Sequence, residues 1–89
     1  MNKLTGGPSA YYGLVLPNGT QVEAIDVIEG LALNFSEGNI LKALWRRAVA
    51  RLGGGKPGTT SLYDAEKIVF FGQRELERER RLRTPEIQA

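Results

Sequence analysis

The sequence predicts a mainly α-helical fold, in which three helices follow an N-terminal extended arm or short hairpin. Apolar residues recur at intervals of three and four in three separate stretches, which is the spacing of a helix face that packs on a core. Turn-forming residues separate these stretches, with Pro17-Asn18-Gly19-Thr20 before the first helix and a glycine-rich loop, residues 53–60, before the third. The chain has 89 residues, so we expect one domain with a small core.

The distribution of glycine and proline sets the predicted boundaries. Residues 1–10 contain two glycines and a proline and show no periodicity, so we expect a flexible N-terminal segment. Residues 11–83 are expected to form a single helical domain. We expect Pro85 to end the third helix because proline lacks the amide hydrogen of a helix interior, which leaves residues 84–89 as a C-terminal tail.

The first two helices carry start signals. Thr20 and Glu23 fit a capping box before the first helix. Ser36 followed by Glu37 fits the start of the second helix, which should end near Leu52. The predicted inward face of the second helix is wide, and it comprises Ile40, Leu41, Leu44, Trp45, Ala48, Val49 and Leu52.

The third helix is longer than the other two can cover. It should begin at Thr60 or Ser61, and its apolar residues end at Leu76, after which the chain is almost wholly charged to residue 83. Phe70 and Phe71 are adjacent and point about 100° apart, so one of them lies outside the intrachain core. We therefore expect a homo-oligomer.

Composition excludes several kinds of site. The chain has no cysteine and no histidine, so it has no disulfide, no thiol nucleophile and no histidine base or zinc ligand. No apolar run approaches the roughly 18 residues of a membrane span, and no signal peptide is recognisable, so we expect a cytoplasmic protein with no membrane partner. A net charge of +2 does not by itself indicate nucleic acid.

The glycine-rich loop invites comparison with a phosphate-binding P-loop. Lys56 is followed by Pro57 instead of Ser or Thr, and the loop follows a helix instead of a strand, so a conventional nucleotide fold is not expected. Two interpretations stay open for this loop. It is a flexible linker, or its backbone amides near Thr60 bind an anion together with Lys56.

An acidic trio on the first helix suggests magnesium as a candidate cofactor. Glu23, Asp26 and Glu29 are spaced three apart, and carboxylate oxygens are the ligands that Mg²⁺ prefers. The facing acidic pair would be Asp64 and Glu66, which are two apart and do not share a helix face. A solvated acidic surface is the simpler interpretation.

A polar and basic edge runs along the second helix. Asn39, Lys42 and Arg46 are spaced three and four apart, so their side chains lie along one edge. An amide, an ammonium and a guanidinium suit a ligand with phosphate and base or sugar groups. The alternative is an exposed polar face whose cations pair with carboxylates such as Asp26 or Asp64.

Three segments in order resemble a family of small phage proteins, mostly of unknown function, that includes the nucleotide kinase of a T-odd coliphage. The first is Glu-Ala-Ile-Asp-Val-Ile-Glu at residues 23–29. The second is Leu-x-Phe-x-x-Gly-Asn-x-x-Lys-x-x-x-Arg at residues 33–46. The third is Asp-x-x-Lys-x-x-x-Phe-x-x-Arg at residues 64–74. The resemblance covers about residues 11–76.

The resemblance implies an oligomeric helical protein that handles nucleotides without a P-loop. The family positions map to Tyr11 or Tyr12, Asp26, Gly38, Asn39, Lys42, Arg46, Asp64, Lys67 and Arg74. The chain departs from the family pattern at three places, with Ala10-Tyr11 for His-Tyr, Ala43 for an aromatic residue, and Phe70-Phe71-Gly72 for Trp-Tyr-Leu. These departures weaken the expectation of catalysis more than that of binding.

Three functions follow as alternatives. The first is a nucleotide-binding phage protein that acts as a nucleoside monophosphate kinase, with Asp26 and Asp64 catalytic. Its nucleotide would be bound by Tyr12, Asn39, Lys42, Arg46 and Lys67. The second is a non-catalytic nucleotide binder that sequesters a host defence signal. The third is a protein- or nucleic-acid-binding adaptor that uses the arginines, although the interleaved glutamates of residues 75–79 would repel phosphates.

Overall fold

The described chain consists of a two-stranded hairpin followed by three helices, which confirms the predicted fold class. The computed structural model describes residues 12–53 and 61–88, so the predicted N-terminal segment and nearly all of the glycine-rich loop lie outside the described residues. The element order is β1 (Gly13–Val15), β2 (Gln21–Glu23), α1 (Ala24–Gly30), α2 (Phe35–Arg51) and α3 (Ser61–Gln88).

The N-terminal arm is a hairpin. β1 and β2 pair antiparallel, with Gly13 opposite Glu23. The connecting turn forms at the predicted Asn-Gly sequence, where Gly19 has φ +89°, a conformation that residues with a Cβ rarely adopt. The side-chain oxygen of Asn18 accepts a hydrogen bond from the Thr20 amide at 3.0 Å, which stabilises the turn.

Helix α1 begins three residues later than a Thr20 cap predicts. Glu23 is its N-cap, and the Glu23 carboxylate accepts from the Asp26 amide while Asp26 Oδ2 accepts from the Glu23 amide at 2.9 Å. The predicted Thr20–Glu23 capping box is therefore wrong. Residues 21–23 pair with β1, and this pairing keeps the chain extended up to Glu23.

Helix α2 is capped by Asn34, so the prediction of Ser36 as its cap is wrong. Asn34 Oδ1 accepts from the Glu37 amide at 2.8 Å, and Glu37 Oε1 accepts from the Asn34 amide at 3.0 Å, which completes a capping box. Asn34 Nδ2 also donates to Glu75 Oε1 at 3.1 Å, so the same residue joins the start of α2 to α3. The predicted end near Leu52 is confirmed, since α2 ends at Arg51.

Helix α3 runs through Pro85 to Gln88, so the prediction that Pro85 ends it is wrong. Proline removes one amide donor, which leaves one carbonyl without its intrahelical partner. The helix is solvent-exposed over residues 76–83, where water can satisfy such a carbonyl. With 28 residues α3 is about 42 Å long, against about 26 Å for the 17 residues of α2.

Helices α2 and α3 form the main helix pair, and polar groups and aromatic rings contact each other between them. The buried residues of α2 are Ser36, Gly38, Ala43 and Arg46, and Ala43 is completely inaccessible. Among the described residues, only Ala24 and Ala43 are buried hydrophobic side chains. The wide apolar face predicted for α2 is therefore only partly covered within one chain.

Two apolar surfaces stay open on the helices. One is a groove of about 230 Å³, the leucine groove, lined by Leu14, Leu41, Leu44, Trp45, Ala48, Val49 and Leu52. The other lies on α3, where Leu62, Val69, Phe70 and Leu76 are exposed. No helix in the described ranges combines the length and apolar character needed to cross a bilayer.

Candidate functional site

Arg46 lies at the centre of a buried polar cluster that joins α2, α3 and the hairpin arm. Its Nε and Nη2 atoms both donate to Asp64 Oδ1, at 2.8 and 2.5 Å. Its Nη1 atom donates to the Tyr12 hydroxyl at 2.6 Å. Arg46 and Asp64 are only 6% and 3% exposed. We call these three residues the arginine cluster.

The electrostatics of this cluster keep Arg46 charged. Burial alone would lower the pKa of the guanidinium, because a low-dielectric environment disfavours its charged form. The hydrogen bonds that Arg46 donates to Asp64 and Tyr12, together with the charge interactions with these residues, outweigh burial and raise the pKa of Arg46 above its ordinary value. The cluster is therefore a permanent buried ion pair with a phenol hydroxyl as its third member.

The arginine cluster brings together three of the predicted site residues around Arg46. Arg46 donates to both Asp64 and Tyr12, and Asp64 occupies the first turn of α3, where a negative charge is favourable. Arg46 does not present its guanidinium to solvent. For Arg46, the structure therefore agrees with the alternative interpretation of the polar helix edge, in which the cation pairs with a carboxylate.

Lys42 is placed differently, because its ammonium group is exposed. It lies one turn before Arg46 on α2, and its Nζ atom is 5.5 Å from the centre of the Tyr12 ring. It lines a cleft of about 160 Å³, the lysine cleft, together with Tyr12, Glu23, Ala24, Ile25 and Ile28. Within the described ranges the Lys42 ammonium has no ion-pair or hydrogen-bond partner.

A second depression meets the lysine cleft at Ile28 and Lys42. This asparagine groove, of about 230 Å³, is lined by Ile28, Leu33, Asn34, Phe35, Gly38, Asn39 and Lys42. Asn39 Nδ2 donates to the Phe35 carbonyl at 2.8 Å, which fixes the amide and leaves Asn39 Oδ1 as an acceptor. The structure thus places Asn39 and Lys42 side by side, as the sequence predicts from their spacing.

Asp26 forms no ion pair with Lys42 or with Arg46. It is exposed on α1, and its carboxylate caps the helix by accepting from the Glu23 amide. The acidic trio is divided by the fold, because Glu23 belongs to β2 and only Asp26 and Glu29 lie on α1. No group of three acidic side chains in the described part of the chain is arranged to hold a metal ion.

Lys67 lies apart from the lysine cleft. Its Nζ atom is 5.3 Å from the centre of the Tyr63 ring, one turn earlier on α3, which is the range of a cation–π contact. The anion site considered for the glycine-rich loop falls on residues 54–60, outside the described residues.

A larger cavity near the start of α2 was not predicted from the sequence. Its volume is about 480 Å³, and we call it the phenylalanine cavity. It is lined by Asn34, Phe35, Ser36, Phe70, Phe71, Arg74, Glu75 and Arg78. Phe71 packs edge-on against both Phe35 and Phe70, with ring centres 5.9 and 5.0 Å apart. The four-residue spacing of Arg74 and Arg78 was the signal in the sequence that could have indicated this cavity. Both arginines, however, lie in a run of mixed charge that is typical of a solvent-exposed helix surface.

Replacing Tyr12 by phenylalanine tests the arginine cluster with a minimal change. We expect the Y12F variant to lose about 1.5–3 kcal/mol of unfolding free energy, because a buried charged donor on Arg46 loses its acceptor. Urea denaturation followed by circular dichroism measures this loss. Y63F is the comparison variant: it removes the hydroxyl of a tyrosine that is 46% exposed, and we expect a smaller loss than in Y12F. Equal stability of Y12F and the parent would contradict a buried hydrogen bond.

The fold and site define a small helical protein in which a buried ion pair joins α2 to α3 and a hydrogen bond from Arg46 to Tyr12 joins the arm to this pair. An exposed lysine lies beside two clefts. Comparison of the chain with protein-family models, with curated proteins and with solved structures gives no match. The resemblance to the phage family described above therefore stays a prediction.

Proposed function

We propose that this protein is a phage-type nucleotide-binding protein that assembles from several copies and uses Lys42 as its phosphate-binding residue. The observation that supports this most is the position of Lys42 where the lysine cleft and the asparagine groove meet. Lys42 is exposed there and has no ion-pair or hydrogen-bond partner among the described residues. An ammonium group in such a position attracts phosphate without first having to break an internal ion pair.

The two depressions next to Lys42 suit different parts of a nucleotide. Asn39 Oδ1 can accept a hydrogen bond from a base or sugar donor. Ile28, Leu33 and Phe35 offer apolar contacts for a planar base in the asparagine groove. Tyr12, held by Arg46, forms a fixed wall of the lysine cleft.

The contacts of the acidic candidates favour binding without chemistry. Asp64 is almost completely buried and accepts from Arg46, and Asp26 accepts from the backbone of its own helix. A phosphoryl transfer enzyme would use such a carboxylate to orient the attacking group, which requires access to the ligand. We therefore favour a non-catalytic binder that sequesters a nucleotide signal in the host cytoplasm over a nucleoside monophosphate kinase.

Substitution of Lys42 tests the proposed site. We expect K42A to weaken nucleotide binding by roughly 10- to 150-fold, the equivalent of a charge-assisted hydrogen bond of about 1.5–3 kcal/mol. Isothermal titration calorimetry with a panel of nucleoside monophosphates and dinucleotides measures the change. R51A is the matched control, because it removes one exposed positive charge from the same helix outside both depressions.

Two outcomes would contradict the proposal. If the parent protein binds no nucleotide in the panel, the nucleotide-binding function is wrong. If K42A and R51A weaken binding equally, the attraction is a general effect of charge and Lys42 is not the site. Turnover of any deoxynucleoside monophosphate in a coupled assay with ATP would instead favour the kinase.

A further inference from the structure

The residues that line the phenylalanine cavity are suited to binding a second phosphate. Arg74 and Arg78 are one helical turn apart on α3, so both guanidinium groups can approach one anion. Neither arginine forms an ion pair or side-chain hydrogen bond with another residue that the structure describes. Glu75 is the one carboxylate in the lining, and it already accepts a hydrogen bond from Asn34 at 3.1 Å.

A hydroxyl in the same lining is available to the same anion. Ser36 is 8% exposed as a whole residue, and its side chain makes no hydrogen bond within residues 12–53 and 61–88. Its oxygen is not among the fully buried side-chain atoms of these residues that lack a partner, so it is accessible from the cavity that Ser36 lines. The Ser36 hydroxyl can therefore donate to an anion held by Arg74 and Arg78.

The phenylalanine cavity adjoins the asparagine groove. Asn34 and Phe35 line both of them. Phe35 and Lys42 are seven residues apart on α2, so roughly 10 Å separates them along the axis. On α3, Arg78 is likewise seven residues beyond Phe71, the ring that packs against Phe35. Cationic groups thus lie at both ends of a surface with an aromatic centre.

We propose that the ligand is a dinucleotide, with one phosphate at Lys42, a base against Phe35, and a second phosphate between Arg74 and Arg78. This inference rests on the proposed nucleotide-binding function and specifies its ligand class. A mononucleotide carries all of its phosphates at one end and cannot occupy both cationic positions with its base on Phe35. A dinucleotide carries two phosphates with a nucleoside between them, and base stacking on an aromatic ring adds about 1–3 kcal/mol.

Calorimetry with three ligands tests this inference. The ligands are a nucleoside monophosphate, a linear dinucleotide with a 5′-phosphate, and a cyclic dinucleotide, each titrated into the parent protein, R78A and K42A. We expect at least one dinucleotide to bind the parent protein tenfold or more tightly than the monophosphate. R78A should abolish this advantage and leave the monophosphate affinity unchanged, whereas K42A should weaken all three ligands. R81A, an exposed arginine of α3 outside the cavity, is the control.

The outcomes separate this inference from the proposed function. If dinucleotides and monophosphates bind equally and both depend on Lys42, the second phosphate site is wrong and the nucleotide-binding function stands. The same holds if R78A has no more effect than R81A. Tighter binding of a longer single-stranded oligonucleotide would identify nucleic acid as the ligand and overturn the dinucleotide. Absence of binding by every nucleotide overturns both proposals.

Discussion

Replacing Asp64 with alanine is expected to lower the free energy of unfolding by about 3–5 kcal/mol, the largest effect of any single substitution considered for this protein. Asp64 accepts two hydrogen bonds from Arg46, and both side chains are withdrawn from water. Removing the carboxylate leaves a buried guanidinium without its counter-charge, which is strongly destabilising. A chain of 89 residues has a total stability of only about 4–13 kcal/mol, so D64A loses a large fraction of it.

The cost of D64A arises from the unpaired charge, and a double substitution separates that cost from the value of the pair itself. In R46M/D64L both charged groups are replaced by apolar side chains, so no buried charge is left uncompensated. We expect this double variant to be more stable than D64A by at least 2 kcal/mol, in line with the behaviour of other buried pairs. The exposed pair of Glu79 and Arg83, 3.3 Å apart, provides the control, because E79A should cost less than about 1 kcal/mol.

Urea denaturation of D64A, R46M/D64L and E79A at one fixed protein concentration measures these differences. The concentration must be held constant because self-association adds to apparent stability. A loss of less than 1 kcal/mol in D64A would contradict the view that the arginine cluster holds the arm and the two helices together. Equal instability of D64A and the double variant would mean that the ion pair contributes through its specific geometry.

The fold class followed from the sequence because local patterns determine it. The Asn18-Gly19 turn and the spacing of apolar residues act over a few positions, and both appear where predicted. The helix caps were assigned less well, since several candidate residues lie close together. Pairing with β1 decides that α1 starts after Glu23, and the helix-start residues alone do not show how far the paired strand extends.

The candidate site could be predicted only in part for the same reason. Asn39 and Lys42 share a helix edge, so their proximity follows from spacing alone. Arg46 lies on that edge as well, yet its side chain is buried against Asp64, 18 residues further along. Whether a cation on a helix edge binds a ligand or an internal carboxylate depends on how two helices pack, which spacing on one helix does not specify. The phenylalanine cavity depends on that packing too.

The apolar face of α2 shows a further limit of periodicity. The spacing of the apolar residues of α2 predicts a surface that packs away from water, but it does not predict which part of the protein or which partner covers that surface. Within one chain the buried residues of α2 are Ser36, Gly38, Ala43 and Arg46, and the leucine groove stays open. Thirteen large hydrophobic side chains of the described residues are exposed, including Leu52 at 79%, which is far more than a stable monomer of this size tolerates well.

Self-association through the leucine groove is therefore the second effect that we expect to be large. The parent protein should sediment as a defined oligomer, with a mass that is a multiple of the 9.8 kDa chain. The L44E variant places a carboxylate in an otherwise apolar groove, and burying that charge against a second copy costs several kcal/mol. Because 1.4 kcal/mol is a factor of ten in an equilibrium constant, L44E should shift association by at least a hundredfold towards the monomer.

Analytical ultracentrifugation across a range of protein concentrations measures this shift, with circular dichroism to confirm that each variant is helical. L31E is the control, since Leu31 is also an exposed leucine, at 67% against 47% for Leu44, but lies outside the leucine groove. A further effect is expected from L52E, whose side chain is at the end of the same groove. If the parent protein is a monomer at every concentration, the groove has another partner. If L31E dissociates the oligomer and L44E does not, the copies meet through a different surface, for which the exposed side chains of α3 are the next candidates.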